Sequence, residues 1–323
     1  VPAPALTGLS LEGDLDERLG QVPAAAGVAQ MLGPDGRTLV IARAANLRRW
    51  AAASLGRGPR AAAGRRPRLD LSPVAREMRF VRTFSPFGQR LAYERLLAPS
   101  VPAERRRDLP VPAYLRLDLA VRFARLEVVT TPEPSAPTYG PFRDRKSAGK
   151  ALAALHQRIP LRPCDYAFEP SPDLPLGLGC LYAEVRSCAA PCLSRVTEQD
   201  YQDLARSAAA CLSTPESRAD LAAVPAWVVG PGEGRALVVE SVRGGFELFP
   251  LSGGSVLDGA CASVPEAALE DALGRLEWLL PPEASDDRRW LSAWLHAPRR
   301  SGRYLILRDG VDPGEIARRL RHP

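Results

Sequence analysis

The sequence predicts an α+β protein. Three observations carry this: a strand hairpin near the start, amphipathic helical segments through the middle, and a strand-rich run followed by helices near the end. The hairpin pairs Gly27–Leu32 with Arg37–Ala42 across the turn sequence Gly33-Pro34-Asp35-Gly36. Ala44, Leu47, Ala51 and Leu55 then fall on one face of a helix that Gly56, Gly58 and Pro59 terminate. Arg57–Arg68 has no period and reads as a solvated loop. Met78–Phe84 reads as a strand, Pro86–Leu97 as a helix, and Ala113–Leu119 and Arg125–Thr130 as two further strands. Ser147–Ile159 is an amphipathic helix with Ala148, Leu152, Leu155 and Ile159 inward. Thr197 can cap the next helix, with Asp200 returning the capping contact.

The character changes near Thr214-Pro215. Trp227–Val229, Ala236–Val242 and Phe246–Leu251 form a meander, and helices follow over Pro265–Leu280 and Asp286–His296. A strand over Tyr304–Arg308 and a helix over Pro313–Arg321 complete the pattern. The expected division is 1–132, 133–214 and 215–323, the last a separate small α+β domain.

Composition sets limits on function. The chain has 323 residues, 46% of them hydrophobic and 25% charged, so it has enough apolar material for a core and is not a disordered protein. Its net charge is +6, which is compatible with nucleic-acid binding without being diagnostic. Lys146 and Lys150 are the only lysines, a skew that fits GC-rich coding as readily as guanidinium chemistry. No stretch has the roughly 20 apolar residues of a membrane helix. Val1-Pro2-Ala3-Pro4 has neither the charged region nor the apolar core of a signal peptide. A cytoplasmic location without membrane contact is therefore expected, and there cysteines serve as thiols or metal ligands rather than disulfides.

Four of the six cysteines, Cys164, Cys180, Cys188 and Cys192, lie within 29 residues, in the pattern Cys180-x7-Cys188-x3-Cys192 with Cys164 upstream. Four thiolates complete either a tetrahedral zinc site or a cubane iron–sulfur cluster. The spacing fits no common zinc-finger pattern and suits a loop folded around a larger object, held extended by Pro163, Pro175 and Pro191. The alternative is four buried thiols acting as small hydrophobes. Cys211 and Cys261 read as ordinary buried residues.

Gly27-Val28-Ala29, the stretch Thr38 to Arg49, Tyr139-Gly140-Pro141-Phe142, Pro160 to Cys164, Cys180 to Cys192 and Thr197 to Tyr201 form an ordered series that resembles the UvrC family, the nuclease subunit of bacterial nucleotide excision repair. Gly27-Val28-Ala29 after Pro23 is similar to the family's first strand, and Thr38 to Arg49 is similar to its second strand and following helix. Tyr139-Gly140-Pro141-Phe142, Pro160-Leu161-Arg162-Pro163-Cys164, the Cys180 to Cys192 segment and Thr197-Glu198-Gln199-Asp200-Tyr201 follow in the same order. The series covers about residues 15–213.

The resemblance implies a GIY-YIG nuclease domain, a small antiparallel sheet flanked by helices, and a [4Fe-4S] cluster on the four cysteines, with zinc as the alternative. In that family two tyrosines, an arginine and a metal-holding glutamate act on a phosphodiester. Here the tyrosine positions carry Ala29 and Val40, Arg43 stands at the lysine position, and Trp50 stands at the arginine position. Glu94 alone matches a catalytic residue, and would hold Mg²⁺ only if the site were active. Glu94 is equally readable as a surface residue paired with Arg90.

Candidate DNA contacts are Arg43, Arg48 and Arg49 beside the degenerate site, and Arg145, Lys146 and Lys150 on the helix after Tyr139–Phe142, whose N-terminus can also receive a phosphate. Arginines at 57–68 and Arg105–Arg107 are further candidates, though charge runs are commonly plain solvated surface. Such contacts would be to the DNA backbone and independent of sequence. Residues 215–323 are the expected surface for a protein partner. No counterpart of the family's ribonuclease-H-type half is found. Three functions remain open: a DNA-binding scaffold with a degenerate site, a metal-dependent repair endonuclease with relocated residues, and a metal-cluster interaction module.

Overall fold

A computed structural model describes residues 6–57, 70–101, 109–132, 136–174, 180–213, 235–276, 287–298, 301–307 and 312–321. The expected loop over 58–68, the strand Trp227–Val229 and Arg105–Arg107 lie outside these residues. The fold is α+β, with three small antiparallel sheets.

The first sheet has the order β1-β4-β2-β3, formed by β1 (Thr7–Ser10), β2 (Gly27–Leu32), β3 (Thr38–Ala44) and β4 (Glu77–Arg82). The predicted β2–β3 hairpin closes where the Gly33 N–H donates to Arg37 O at 2.9 Å. Strand alternation gives β2 two buried faces. Ala29 and Met31 pack with Leu47 and Ala51 of α2 (Leu47–Ser54) and with Met78 and Phe80 of β4. Gly27 is where α2 comes closest to the sheet: a Cβ there would stand 2.2 Å from Val81 O and 2.7 Å from Leu47. On the opposite face Gln30 reaches Thr38 at 2.7 Å and Ser100. Helix α1 (Leu15–Gln21), which the sequence patterns did not flag, precedes β2.

The second sheet, β6-β5-β7, contains β5 (Ala113–Leu117), β6 (Leu126–Val129) and β7 (Thr138–Phe142). Strand β7 carries Gly140 and Pro141, which mask its strand character in the sequence. Helices α4 (Arg145–His156) and α6 (Glu198–Ser213) share a core with this sheet through Leu115, Leu117, Leu155, Tyr201 and Leu212. Thr197 caps α6 as predicted, accepting from the Asp200 N–H at 3.1 Å. The return contact differs, because the Thr197 hydroxyl donates to Asp200 Oδ2 at 2.6 Å.

The third sheet runs β10-β9-β8-β12, with β11 also on β9. Its strands are β8 (Ala236–Val242), β9 (Gly245–Ser252), β10 (Ser255–Val256), β11 (Ala262–Pro265) and β12 (Arg303–Ile306). Of the helix expected over Pro265–Leu280, the described residues form α7 over Leu269–Gly274, and 277–280 lie outside them. Pro265 ends β11 opposite Gly245, so the chain is still extended there. Helix α9 (Pro313–Arg321) packs with α7 on one face of this sheet.

The other face holds α8 (Arg288–Leu295) together with α3 (Pro86–Leu97), which follows the first sheet in the chain. Phe87 and Leu91 of α3 lie among Val238, Phe249, Trp290 and Leu291. The Phe87 ring contacts those of Phe249, Trp290 and Trp294 at 4.8–5.2 Å. Gln89 of the same helix donates to Gly27 O and Ala44 O, both at 2.9 Å. Helix α3 is thus held by two sheets.

Polar contacts fix both ends of α3 to the third sheet. At its start the Phe87 N–H donates to buried Glu240 Oε2 at 2.6 Å. Near its end Arg95 bonds Asp258 at 2.5 Å and Asp287 at 2.6 Å. Burial opposes the Arg95 charge, but hydrogen bonds to Asp287 and Asp258 outweigh it and hold the proton more firmly than usual. Asp287 is 2% exposed, and it also accepts from the Val256 N–H and Trp290 Nε1, each at 2.8 Å. Arg95→Ala strands this carboxylate. It should cost about 3–5 kcal/mol, read as a lower midpoint in denaturant unfolding.

Candidate metal centre and nucleic-acid interface

The four cysteines stand on one loop system around a short helix, α5 (Leu181–Glu184), which Cys180 opens. Cys188 and Cys192 are buried, Cys164 and Cys180 half-buried, and all four are free thiols. The local backbone is unusual. Arg186, Ala190 and Ser194 are the described non-glycine residues with positive φ, at 58°, 53° and 54°. All three lie between 186 and 194. The left-handed turn at Ala190 aims its N–H at Cys188 Sγ, 3.3 Å away.

Burial pushes the Cys188 thiol up to about 11. The Ala190 N–H works against this, and the charges of Cys164, Cys180 and Cys192 add to it. Cys192 is raised in the same way, by burial first and then by Cys180 and Cys164. Among the described residues, no three His, Cys, Asp or Glu side chains stand close enough to hold a single metal ion. Cys211 belongs to α6, and Cys261 precedes β11 with its thiol donating to Leu257 O at 3.4 Å.

The loop is tied to its surroundings by Arg162 and Tyr201. The buried Tyr201 hydroxyl accepts from the Arg162 N–H at 2.8 Å and donates to Ala124 O at 2.9 Å. The Arg162 guanidinium donates to Phe123 O at 3.0 Å and Tyr166 O at 2.7 Å. The Ala189 N–H donates to Pro160 O at 2.7 Å, closing the loop beside Cys188. Both anchors lie inside quoted motifs, but only the fold shows that they bond each other.

The positions read as a degenerate nuclease site fall into two groups. Ala29 is fully buried, and Val40 and Trp50 pack on the same apolar core. Glu94 is on α3, across the sheet. It is 6% exposed, and Arg90 Nη2 stands 2.5 Å from its Oε1 without hydrogen-bond alignment. The Arg43 and Arg90 guanidiniums both lie over the Tyr93 ring, at 5.6 and 5.8 Å. Arg43 thus joins the α3 face rather than the face of Ala29.

Among the candidate DNA contacts, Arg48 donates to Val22 O at 2.7 Å and Gly20 O at 3.0 Å, which binds α2 to the end of α1. Arg49, Arg145, Lys146 and Lys150 are exposed. The phosphate site expected at the start of α4 is occupied from within, because Asp144 Oδ1 accepts both the Ser147 N–H at 2.8 Å and the Ser147 hydroxyl at 2.9 Å. A carboxylate there repels phosphate, so the basic side chains alone remain.

Residues 113–211 match the family described as "UvrC/Cho excinuclease, middle domain". These bounds take in the second sheet, α4, the four cysteines and α6 up to Cys211. The chain is similar to UvrABC system protein C of Novosphingobium aromaticivorans, 39% identical over 70 residues, 22% of this chain and 10% of the relative. It is also similar to the proteins of that name from Geobacter sp. strain M21, 32% identical over 96 residues (29% and 14%), and Geobacter metallireducens, 28% identical over 202 residues (59% and 31%). The matches thus span a tenth to about a third of these relatives' length. No solved structure matches. Over part of its length the chain is a distant UvrC homologue. Because Tyr201 holds the cysteine loop on this segment's core, Tyr201→Phe leaves a buried N–H and carbonyl unpaired. It should cost about 1–3 kcal/mol in thermal or denaturant unfolding.

Proposed function

We propose that this chain is a DNA-binding scaffold of the UvrC lineage that does not cleave DNA, with a structural [4Fe-4S] cluster on Cys164, Cys180, Cys188 and Cys192. The observation that carries the reading of the nuclease site is the burial of Ala29 in an apolar core with Val40 and Trp50 packed on it. An apolar core offers no group to move a proton or to stabilise charge on a phosphate. Glu94 faces Arg90 instead of an open cleft. A divalent ion there would have one buried carboxylate, itself already paired, so the donor set does not fit Mg²⁺.

Four free cysteines on one loop system have the donor chemistry of a cluster. Zinc takes thiolates at about 2.3 Å, which draws all four within about 4 Å of one another. The spacing Cys180-x7-Cys188-x3-Cys192 with Cys164 upstream fits no common zinc-finger pattern, which favours the larger cubane over zinc. The Ala190 N–H would hydrogen-bond a liganding sulfur and disperse its charge. Such a cluster supplies folding free energy to a loop with little core of its own.

DNA binding is supported by the net charge of +6, the exposed Arg49, Arg145, Lys146 and Lys150, and the excision-repair context of the relatives. The contacts are to the backbone. Affinity should fall steeply with salt and show little sequence preference. Lys146→Ala with Lys150→Ala should flatten the log–log salt slope by roughly 1–2 units, measured by fluorescence anisotropy. Absence of binding at low salt would favour a cluster-bearing interaction module.

With Mg²⁺ or Mn²⁺ the protein should not nick duplex or bubble DNA above background. Cleavage that Glu94→Ala abolishes would restore the endonuclease reading. Protein prepared without oxygen should be brown, with broad absorption near 400 nm, roughly the range of cubane charge-transfer bands. Cys188→Ser should lose the colour. A colourless protein containing one zinc would keep the ligands and refute the cluster.

A further inference from the structure

A cavity of about 490 Å³ lies between α3, β4 and the third sheet. It is in the size range that takes small organic ligands. Its walls are apolar, with Val81, Leu91, Leu96 and Phe249 among them. Two polar side chains in the wall have oxygens without hydrogen-bond partners among the described residues, Thr83 Oγ1 and Glu247 Oε2. Both residues are 7% exposed. Gly88 leaves room beside the Glu247 carboxyl. A Cβ there would stand 3.2 Å from Glu247 Oε2 and from Phe249.

The charges around the cavity are unbalanced. Glu247 pairs across the strands with Glu240, whose Oε1 is also buried and without a partner. Arg95, the one cation among the described lining residues, is committed to Asp258 and Asp287. Arg82 stands over the ring of Phe84 on the rim and is exposed. Burial, opposed by the Ser85 hydroxyl and reinforced by the Glu240 charge, pushes the Glu247 carboxyl up. The protein leaves this carboxyl without a compensating cation.

We propose that the cavity binds an organic cation: an apolar, ring-bearing body with one ammonium or amidinium head directed at Glu247 and Thr83. The body replaces water along the apolar walls, and the head makes a charge-assisted contact with the Glu247 carboxylate. Anions are repelled by the surrounding carboxylates, so this site is distinct from any DNA-phosphate contact and independent of the DNA-binding reading. A neutral ligand of the same shape fills the walls but leaves the Glu247 charge unmet.

Isothermal titration of the full chain with three probes of one shape tests this. Benzamidine should bind, benzamide should bind at least about tenfold more weakly, and benzoate should give no heat, the order that a charge-assisted contact predicts. Glu247→Gln should lower benzamidine affinity to that of benzamide. Ala92→Phe keeps every charge and fills the cavity from α3, so it should abolish binding. Equal affinity for benzamidine and benzamide would overturn the proposal, as would no binding of benzamidine at millimolar concentration. Benzamidine binding that survives both substitutions would place the ligand elsewhere and also overturn it.

Discussion

The free N–H groups at the start of a helix need acceptors, and α3 finds one in its own cap, Ser85, and another on a strand more than a hundred residues away in the chain. Glu240 takes the Phe87 N–H from a strand position that is 2% exposed. At the other end Arg95 reaches Asp258 and Asp287. Between these anchors Phe87 and Leu91 complete the apolar core of the third sheet. The helix cannot leave that sheet without exposing aromatic surface and stranding buried charges at once. Since Gln89 on the same helix bonds β2 and β3, the first and third sheets are fixed through one element.

This arrangement bears on the first sheet. A catalytic helix in a working site must present its carboxylate to a cleft. Here α3 spends two of its faces on packing, and Glu94 is left beside Arg90. The opposite face of β2 is filled by α2, with Ala29 at its centre. The apolar side chains of this face and its closed core go together. Small and apolar residues let α2 sit directly on the sheet.

The middle segment follows a different logic. Its core of Leu115, Leu155, Tyr201 and Leu212 is an ordinary sheet-and-helix packing. The cysteine loop adds little apolar area and depends on polar ties, above all Tyr201 to Arg162 and Ala124. Of the three left-handed residues near the cysteines, Ala190 is buried, and its carbonyl accepts from the Leu193 and Arg195 N–H groups.

Periodicity and turn chemistry marked the β2–β3 hairpin, α3, β8 and α9 with nearly their observed bounds, because those signals are local. The same local signals missed α1 and β7, the first short and the second interrupted by Gly140-Pro141. The cysteine spacing and the order of motifs pointed to the UvrC relationship, which is carried by linear pattern. Residue types alone also raised the question of Ala29, Val40 and Trp50. Pairings between distant residues have no linear signature. Nothing near Phe87 announces Glu240, nothing near Arg95 announces Asp287, and Arg48 reads as a free cation until its carbonyl partners are seen. The placement of α3, the burial of Glu94 and the apolar cavity beside Glu247 all rest on such contacts. They exist only once chain segments far apart in sequence share one dry interface, where an unpaired charge is too costly to leave.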